Sequence, residues 1–215
     1  MITGPQCDIL HNMNQRIGIF GGTFDPPHLG HLILASEART QLQLSRLLWV
    51  LTSLPPHKLG QSISPLEDRL AMLELALKDE PKFELSTVDM NRPGPQYTLD
   101  TLNLLARQNP DADLILLIGG DSLRDLPTWH LPEKIIASCH QIGVIRRPSD
   151  SIDLSQLENQ IPGITSKVRF VDAPLLEIAS REIRQRAAEG LPFRYYLLPS
   201  VYEYIVDHKL YSNSG

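Results

Sequence analysis

The chain has 215 residues, 42% of them hydrophobic, with a formal net charge of −5 and a pI near 5.8. That suits one globular domain with its own core, and it argues against a general nucleic-acid binder, which needs a basic face to neutralise phosphates. Two cysteines, Cys7 and Cys139, make neither a disulfide framework nor a C-x-x-C pair, and no apolar run approaches the roughly 20 residues that span a bilayer, so a cytoplasmic setting without membrane attachment is expected.

Residues Met1 to Gln15 are polar, with Asp8 among them and no apolar h-region, and read as a loose arm; Met13 is an alternative start. The domain then runs over 16–215 and includes a small helical C-terminal part. Its first strand is the apolar run Arg16 to Phe20, and its first helix runs from Leu32 to about Leu42. Leu47 to Leu51 reads as the second strand, broken by the loop Pro55-Pro56-His57-Lys58. Ser64-Pro65-Leu66-Glu67 has the form of a capping box, with serine at the cap and proline at the first helical position. The helix behind it, Leu66 to Lys78, carries Leu66, Leu70, Leu73 and Leu77 on one face.

Phe83 to Val88 alternates and reads as a third strand. A Pro/Gly turn over 91–96 precedes a helix capped by Tyr97-Thr98. Leu114 to Ile118 is a strand buried on both faces, ending in Gly119-Gly120-Asp121-Ser122. A short helix over Leu131 to Ser138 leads to the strand Gln141 to Ile145, stopped by Arg146-Arg147-Pro148. Ser149 to Gly163 reads as a polar surface excursion with one weak helix, Val168 to Val171 as the last strand, and Ile178 to Glu189 and Pro199 to His208 as helices. Strands alternating with helices predict an α/β, Rossmann-like domain: a mostly parallel sheet with helices on both faces. Ligands then sit at the carboxyl ends of the strands, where the Gly21-Gly22, Pro55–Lys58, Gly119-Gly120 and Arg146–Pro148 loops gather.

The stretch Gly21-Gly22-Thr23-Phe24-Asp25-Pro26-Pro27-His28-Leu29-Gly30-His31 is a strand-to-helix turn. Gly21 and Gly22 let a ligand approach the backbone, and a helix start attracts phosphate. His28 and His31, three apart, share one helix face, with Gly30 keeping it free of bulk. Two weaker readings stand beside this one: the pair as metal ligands, for which no third ligand stands at tight spacing, or as plain surface histidines.

This stretch resembles the signature of the nucleotidyltransferase superfamily with its H-x-G-H element. Further segments resemble the bacterial nicotinate-nucleotide adenylyltransferase family: Pro55-Pro56-His57-Lys58, Tyr97-Thr98-Leu99-Asp100-Thr101-Leu102, Gly119-Gly120-Asp121-Ser122 with Trp129, and Ile178-Ala179-Ser180-Arg181-Glu182-Ile183-Arg184. The resemblance, which spans Arg16 to Tyr211, implies transfer of an adenylyl group from ATP to nicotinate mononucleotide, with Mg²⁺ carried by ATP. It implies that His28, His31 and Arg184 are catalytic. ATP would also meet Gly21, Gly22, Thr23 and Phe24, Gly119 and Asp121 at the adenosine, and Ser180 with Arg184 at the β- and γ-phosphates. The acceptor would lie against Lys58, Tyr97, Thr98 and Trp129, whose indole can stack on a pyridine. No protein-bound metal site, nucleic acid or membrane is implied, and a homo-oligomer stays open.

Other roles stand beside these: Trp129 as a core anchor, Lys58 as solvated charge, Asp121 as a turn cap, Tyr97 as a helix staple and Arg186 as part of a polar face. The family's late motif usually has hydroxyl residues where Ala179 and Arg181 stand, so Arg181 is expected to substitute in part for two lost phosphate hydrogen bonds. Rival acceptors are nicotinamide mononucleotide and phosphopantetheine. Rivals of another kind are a non-catalytic nucleotide sensor and an RNA-binding protein.

Overall fold

A computed structural model describes residues 14–53, 63–90, 92–145, 152–174 and 176–212. The expected N-terminal arm up to residue 13, the Pro55–Lys58 loop with Lys58, and the Arg146-Arg147-Pro148 turn lie outside the described residues.

Six strands form one sheet: β1 (Gln15–Gly22), β2 (Arg46–Leu51), β3 (Phe83–Ser86), β4 (Ala112–Gly119), β5 (Gln141–Ile145) and β6 (Val168–Val171). Their order is β3-β2-β1-β4-β5-β6, and every pairing is parallel. Nine helices among the described residues connect or follow them: α1 (Leu29–Gln41), α2 (Leu66–Leu77), α3 (Thr98–Gln108), α4 (Gly120–Asp125), α5 (Pro132–Ser138), α6 (Leu154–Gln160), α7 (Ile164–Lys167), α8 (Ser180–Ala188) and α9 (Pro199–Asp207).

Alternation along the central strands explains why the sheet is covered on both faces. Ile17 and Ile19 of β1 and Leu114, Leu116 and Ile118 of β4 join one apolar cluster with Leu102 and Leu105 of α3. Phe20 of β1 and Ile115 and Leu117 of β4, on the opposite face, join a second with Ala35 and Ala38 of α1 and Leu73 and Leu77 of α2. A strand buried on both faces must read as a continuous apolar run, as β4 does.

The chain builds outward from β1 through β2 to β3, then returns so that β4 lies on the other side of β1. This reversal is the switch point at which parallel sheets open a crevice beyond their carboxyl ends. Phe20 stands opposite both Trp49 and Leu117. Carrying that register on by two residues sets Gly22 beside Gly119. Both glycine-rich turns therefore open on the crevice.

A third cluster joins α2 to the C-terminal helices, with Met72 and Ala76 against Ile183, Leu197, Val201 and Ile205. Burying Val201 and Ile205 contributes on the order of 1.5–3 kcal/mol each, which anchors the C-terminal part to the domain.

Several local expectations change. The capping box at Ser64 does not form: Pro65 is the N-cap of α2, with no side-chain cap. Ser64 is committed elsewhere, its N–H donating to Asp25 Oδ2 at 3.2 Å and its carbonyl accepting from Arg69 Nε at 3.0 Å. Helix α8 starts at Ser180 rather than Ile178, and β3 stops at Ser86. The described part of the stretch expected as a surface excursion, residues 152–163, is mostly exposed and carries one short helix, but two of its side chains anchor it to the core. Asp153 caps α6 through the N–H groups of Ser155 and Gln156, and Leu157, Ile161 and Ile164 are buried in the first cluster.

Candidate active site

The opening turn is shaped by an aromatic plug. Phe24 adopts a left-handed backbone, φ 47°, and its ring is buried 5.6 Å from Phe20, 5.1 Å from Trp49 and 5.3 Å from His31 between centroids. A Cβ on Gly22 would stand 2.9 Å from that ring, so this glycine makes room for Phe24. Gly21 and Gly119, by contrast, would meet nothing within 4 Å, so theirs is the backbone a ligand can approach.

The two histidines cap α1 for each other. His28 is the N-cap residue, and its Nδ1 accepts the His31 N–H at 3.3 Å. His31 Nδ1 accepts the His28 N–H, also at 3.3 Å, so two imidazoles perform the reciprocal capping more often done by serine and glutamate. The rings stack with centroids 3.7 Å apart and planes 24° from parallel. Gly30 serves this pair: a Cβ there would lie 3.0 Å from His28 Nδ1. The expected role, freeing the helix face for a ligand, gives way to one of seating the His28 ring.

The cap fixes the tautomer. A nitrogen that accepts an N–H carries no proton, so the neutral form of each ring is protonated at Nε2. Burial lowers the His28 pKa to about 4, which keeps this ring neutral near pH 7. The first turn of α1 contains no acidic residue, so nothing on the helix itself offsets the positive end of its dipole. The pair thus presents two N–H donors at a helix start, an arrangement suited to anionic oxygens.

Helix α8 brings the late motif to the same turn across more than 150 residues of sequence. Ser180 Oγ donates to the Pro26 carbonyl at 2.8 Å, and Arg184 Nη1 donates to the Asp25 carbonyl at 2.7 Å. Ala179 and Arg181 beside them are exposed. Arg186 faces away from this cluster: its Nε donates to the Pro192 carbonyl at 2.7 Å, and its guanidinium lies 5.4 Å from the Tyr196 ring centre. That is the polar-face role read from the sequence.

Around the end of β4, Asp121 is exposed in the first turn of α4 and pairs with Arg124 at 3.2 Å. Trp129 is half-buried against the first core cluster. Tyr97 is the N-cap of α3 but makes no side-chain cap; its ring lies 4.4 Å from that of His130. Arg92 holds this region by donating to the Tyr97 carbonyl, to Thr101 Oγ1 and to Asp89, whose buried carboxylate also accepts from Thr101 Oγ1 at 2.7 Å. Burial raises the Asp89 pKa, and the Thr101 and Arg92 hydrogen bonds oppose that shift.

Sequence reasoning missed His130, Asp89 and Arg92, and it missed the pair Asp25 and Arg69. Asp25 is 3% exposed and Arg69 2%. Arg69 had a signal: it occupies a position of the apolar stripe of α2, between Leu66 and Leu73. A charge inside such a stripe is buried and must be partnered.

Among the described residues no cluster of three or more His, Cys, Asp and Glu side chains could hold a metal ion. No helix among them is long and apolar enough to cross a membrane.

Known proteins resemble this one at each level. The cytidylyltransferase-like family model matches residues 19–186. The "Probable nicotinate-nucleotide adenylyltransferase" of Thermomicrobium roseum is 50% identical over 196 residues, 91% of each chain. A protein of the same name from Roseiflexus sp. is 43% identical over 195 residues, 91% of this chain and 97% of that one. The fold matches that of Plasmodium falciparum nicotinic acid mononucleotide adenylyltransferase complexed with NaAD, with a TM-score of 0.77 at 21% identity, covering 92% of this chain and 97% of that one.

Proposed function

Because this chain belongs to the nicotinate-nucleotide adenylyltransferase family, we propose that it transfers the adenylyl group of ATP to nicotinate mononucleotide, giving nicotinate adenine dinucleotide and pyrophosphate in NAD biosynthesis. The observation that carries the chemistry is the reciprocal histidine cap, two Nε2–H donors fixed at the start of α1.

The nucleophile is a phosphate oxygen of the mononucleotide, anionic near neutral pH. It attacks the α-phosphorus of ATP, a P–O bond forms, and the bond to the β-phosphate breaks with its electron pair leaving on pyrophosphate. No protein base is required. The enzyme contributes in-line positioning and stabilisation of the charge that builds on the phosphoryl oxygens and the leaving group. A neutral imidazole suits that task, since it donates a hydrogen bond without taking up the nucleophile's charge.

In this reading His28 and His31 donate from Nε2 to ATP phosphates, and Arg184 grips the β- and γ-phosphates together with Ser180, which offers its backbone N–H at the start of α8 because its hydroxyl proton is committed to the Pro26 carbonyl. Gly21, Gly22, Thr23 and Phe24 line the phosphate turn, Phe24 through its backbone because its ring is in the core. Gly119 and Asp121 face the adenosine. Lys58, Tyr97, Thr98 and Trp129 hold the acceptor. Mg²⁺ would arrive with ATP, held by phosphate oxygens rather than a protein cage, and would neutralise charge on the leaving pyrophosphate. A cytoplasmic setting fits this substrate pair and the free, buried Cys139.

The test is pyrophosphate release with ATP and either the acid or the amide mononucleotide. The acid is expected to be turned over with the higher kcat/KM. Release with the amide alone would move the substrate to nicotinamide mononucleotide, and no release with either would sink the assignment.

A further inference from the structure

The C-terminal segment reaches into the phosphate turn by a single hydroxyl. Helix α9 ends at Asp207, and the chain reverses: Lys209 N–H donates to the Val206 carbonyl at 3.2 Å and Leu210 N–H to the Ile205 carbonyl at 3.0 Å. Lys209 and Tyr211 both take left-handed backbones, φ 52° and 65°. Side chains rarely adopt this region, and such residues persist where surrounding contacts hold them in place. Tyr211 is held by Asp25, whose Oδ1 accepts its hydroxyl at 2.7 Å, and by Met72, whose Sδ lies 3.9 Å from the same hydroxyl.

Asp25 is a junction. Its Oδ2 accepts the Ser64 N–H at 3.2 Å and lies 3.9 Å from Arg184 Nη1, and its carbonyl accepts from that same nitrogen at 2.7 Å. Arg184 is partly exposed, and its Nε and Nη2 have no hydrogen-bond partner among the described residues. One edge of the guanidinium is therefore tied to Asp25, while among the described residues the other donors have no partner. Burial, then the neighbouring Asp25 charge, raises the Tyr211 pKa well above the usual phenol range, so the hydroxyl remains a donor.

We propose that Tyr211 is a positioning residue of the ATP site: by fixing the Asp25 carboxylate it sets the angle at which Arg184 meets the nucleotide phosphates, and the C-terminal segment thereby completes the phosphate grip. This rests on the reading that Arg184 binds ATP. It assigns a function to a residue 186 positions away from Asp25 in the chain, on a segment that otherwise packs against α2.

The test compares wild type with Tyr211→Phe, Tyr204→Phe, Arg184→Lys and the Tyr211→Phe/Arg184→Lys double variant. Tyr204 is the matched control: it lies on α9, and its hydroxyl donates to Asp68 Oδ1 at 2.9 Å. Tyr211→Phe removes one oxygen and keeps the ring. Its KM for ATP is expected to rise roughly tenfold, the scale of one lost hydrogen bond to a charged group. KM for the mononucleotide should stay within about twofold, and Tyr204→Phe should match wild type in both. The double variant should lose less than the product of the single losses, because both changes act through one guanidinium.

If Arg184→Lys weakens ATP while Tyr211→Phe behaves like Tyr204→Phe, the proposal is overturned and the function stands. Equal losses on both substrates, with a lowered unfolding midpoint, would make Tyr211 a stabilising residue only and overturn it as well. A wild-type protein that releases no pyrophosphate removes the function and this role together. Should Tyr211→Phe aggregate, amide exchange of the wild type decides: a non-hydrolysable ATP analogue should slow exchange at Leu210 to Ser212, and unchanged exchange there contradicts the proposal.

Discussion

Replacing His31 by alanine should lower kcat by on the order of a hundredfold, the usual scale for one lost transition-state hydrogen-bond donor. Two effects combine. The Nε2–H donor disappears, and the His28 N–H loses its acceptor, Nδ1 of His31. The second loss is the reciprocal half of the capping pair, worth at most about 1 kcal/mol in stability because His28 Nδ1 still accepts the backbone N–H of residue 31, which leaves the protein folded. The first acts on a charge that grows during the reaction, so the deficit should appear in kcat far more than in KM for the mononucleotide. Steady-state kinetics beside an unfolding curve separates the two. Unchanged turnover with a modest loss of stability would make His31 a cap and nothing more.

The largest stability effect is expected at Arg69. Its guanidinium is 2% exposed and donates to four carbonyls: Nε to Ser64 at 3.0 Å, Nη1 to Thr23 at 3.2 Å and Thr52 at 2.9 Å, and Nη2 to Ser53 at 3.3 Å. These belong to the phosphate turn, the chain leaving β2 and the chain entering α2. Burial lowers the Arg69 pKa, and the nearby Asp25 carboxylate opposes that shift. Arg69→Leu keeps the apolar stem but orphans the carbonyls and leaves Asp25 without that countercharge. The expected cost is about 3 kcal/mol or more. For a chain of this length that lowers Tm by roughly 10 °C. Arg69→Lys should recover only part, because one ammonium cannot span a planar fork of donors. Thermal and urea unfolding measure this directly. A midpoint for Arg69→Leu within about 1 kcal/mol of wild type would show that the three segments hold together without it.

Much of this architecture was legible because its signals are local. Apolar runs of five or six residues alternating with amphipathic stretches name a parallel sheet, and glycines at strand ends name the loops that gather there. The histidine pair was legible as residue types at a helix start. Its reciprocal cap was not, because the donor–acceptor pairing depends on backbone angles at His28 that spacing does not encode. For the same reason Ser64 looked like a cap: its sequence context matched, but a tertiary partner, Asp25, competed for its N–H and won. Asp25 and Tyr211 were hidden for a different reason: each is ordinary in its own neighbourhood, and only the fold brings them together from positions far apart in the chain. Arg69 carried a signal, a charge inside an apolar stripe, but its partners lie on other segments. Around Leu157 and Ile161 the polar pattern matches the exposed residues, and two isolated apolar anchors gave too little signal to show that the segment is pinned to the core.

At the centre of this account stands the claim that both imidazoles donate from Nε2, with His28 kept neutral by its burial. Protonating His28 would put a proton on the nitrogen that caps α1. Because its folded pKa lies below the unfolded value of about 6.5, the cost of charging it is absent above that pH and grows as the pH falls toward 4. Nitrogen-15 NMR of the labelled protein, titrated in pH with and without a non-hydrolysable ATP analogue, observes this directly. At pH 7 both rings should carry their proton on Nε2, those Nε2–H signals should shift on adding the analogue, and His28 should begin to charge only as the pH approaches 4. A charged or Nδ1-protonated His28 at pH 7, or Nε2–H signals indifferent to the analogue, would contradict it.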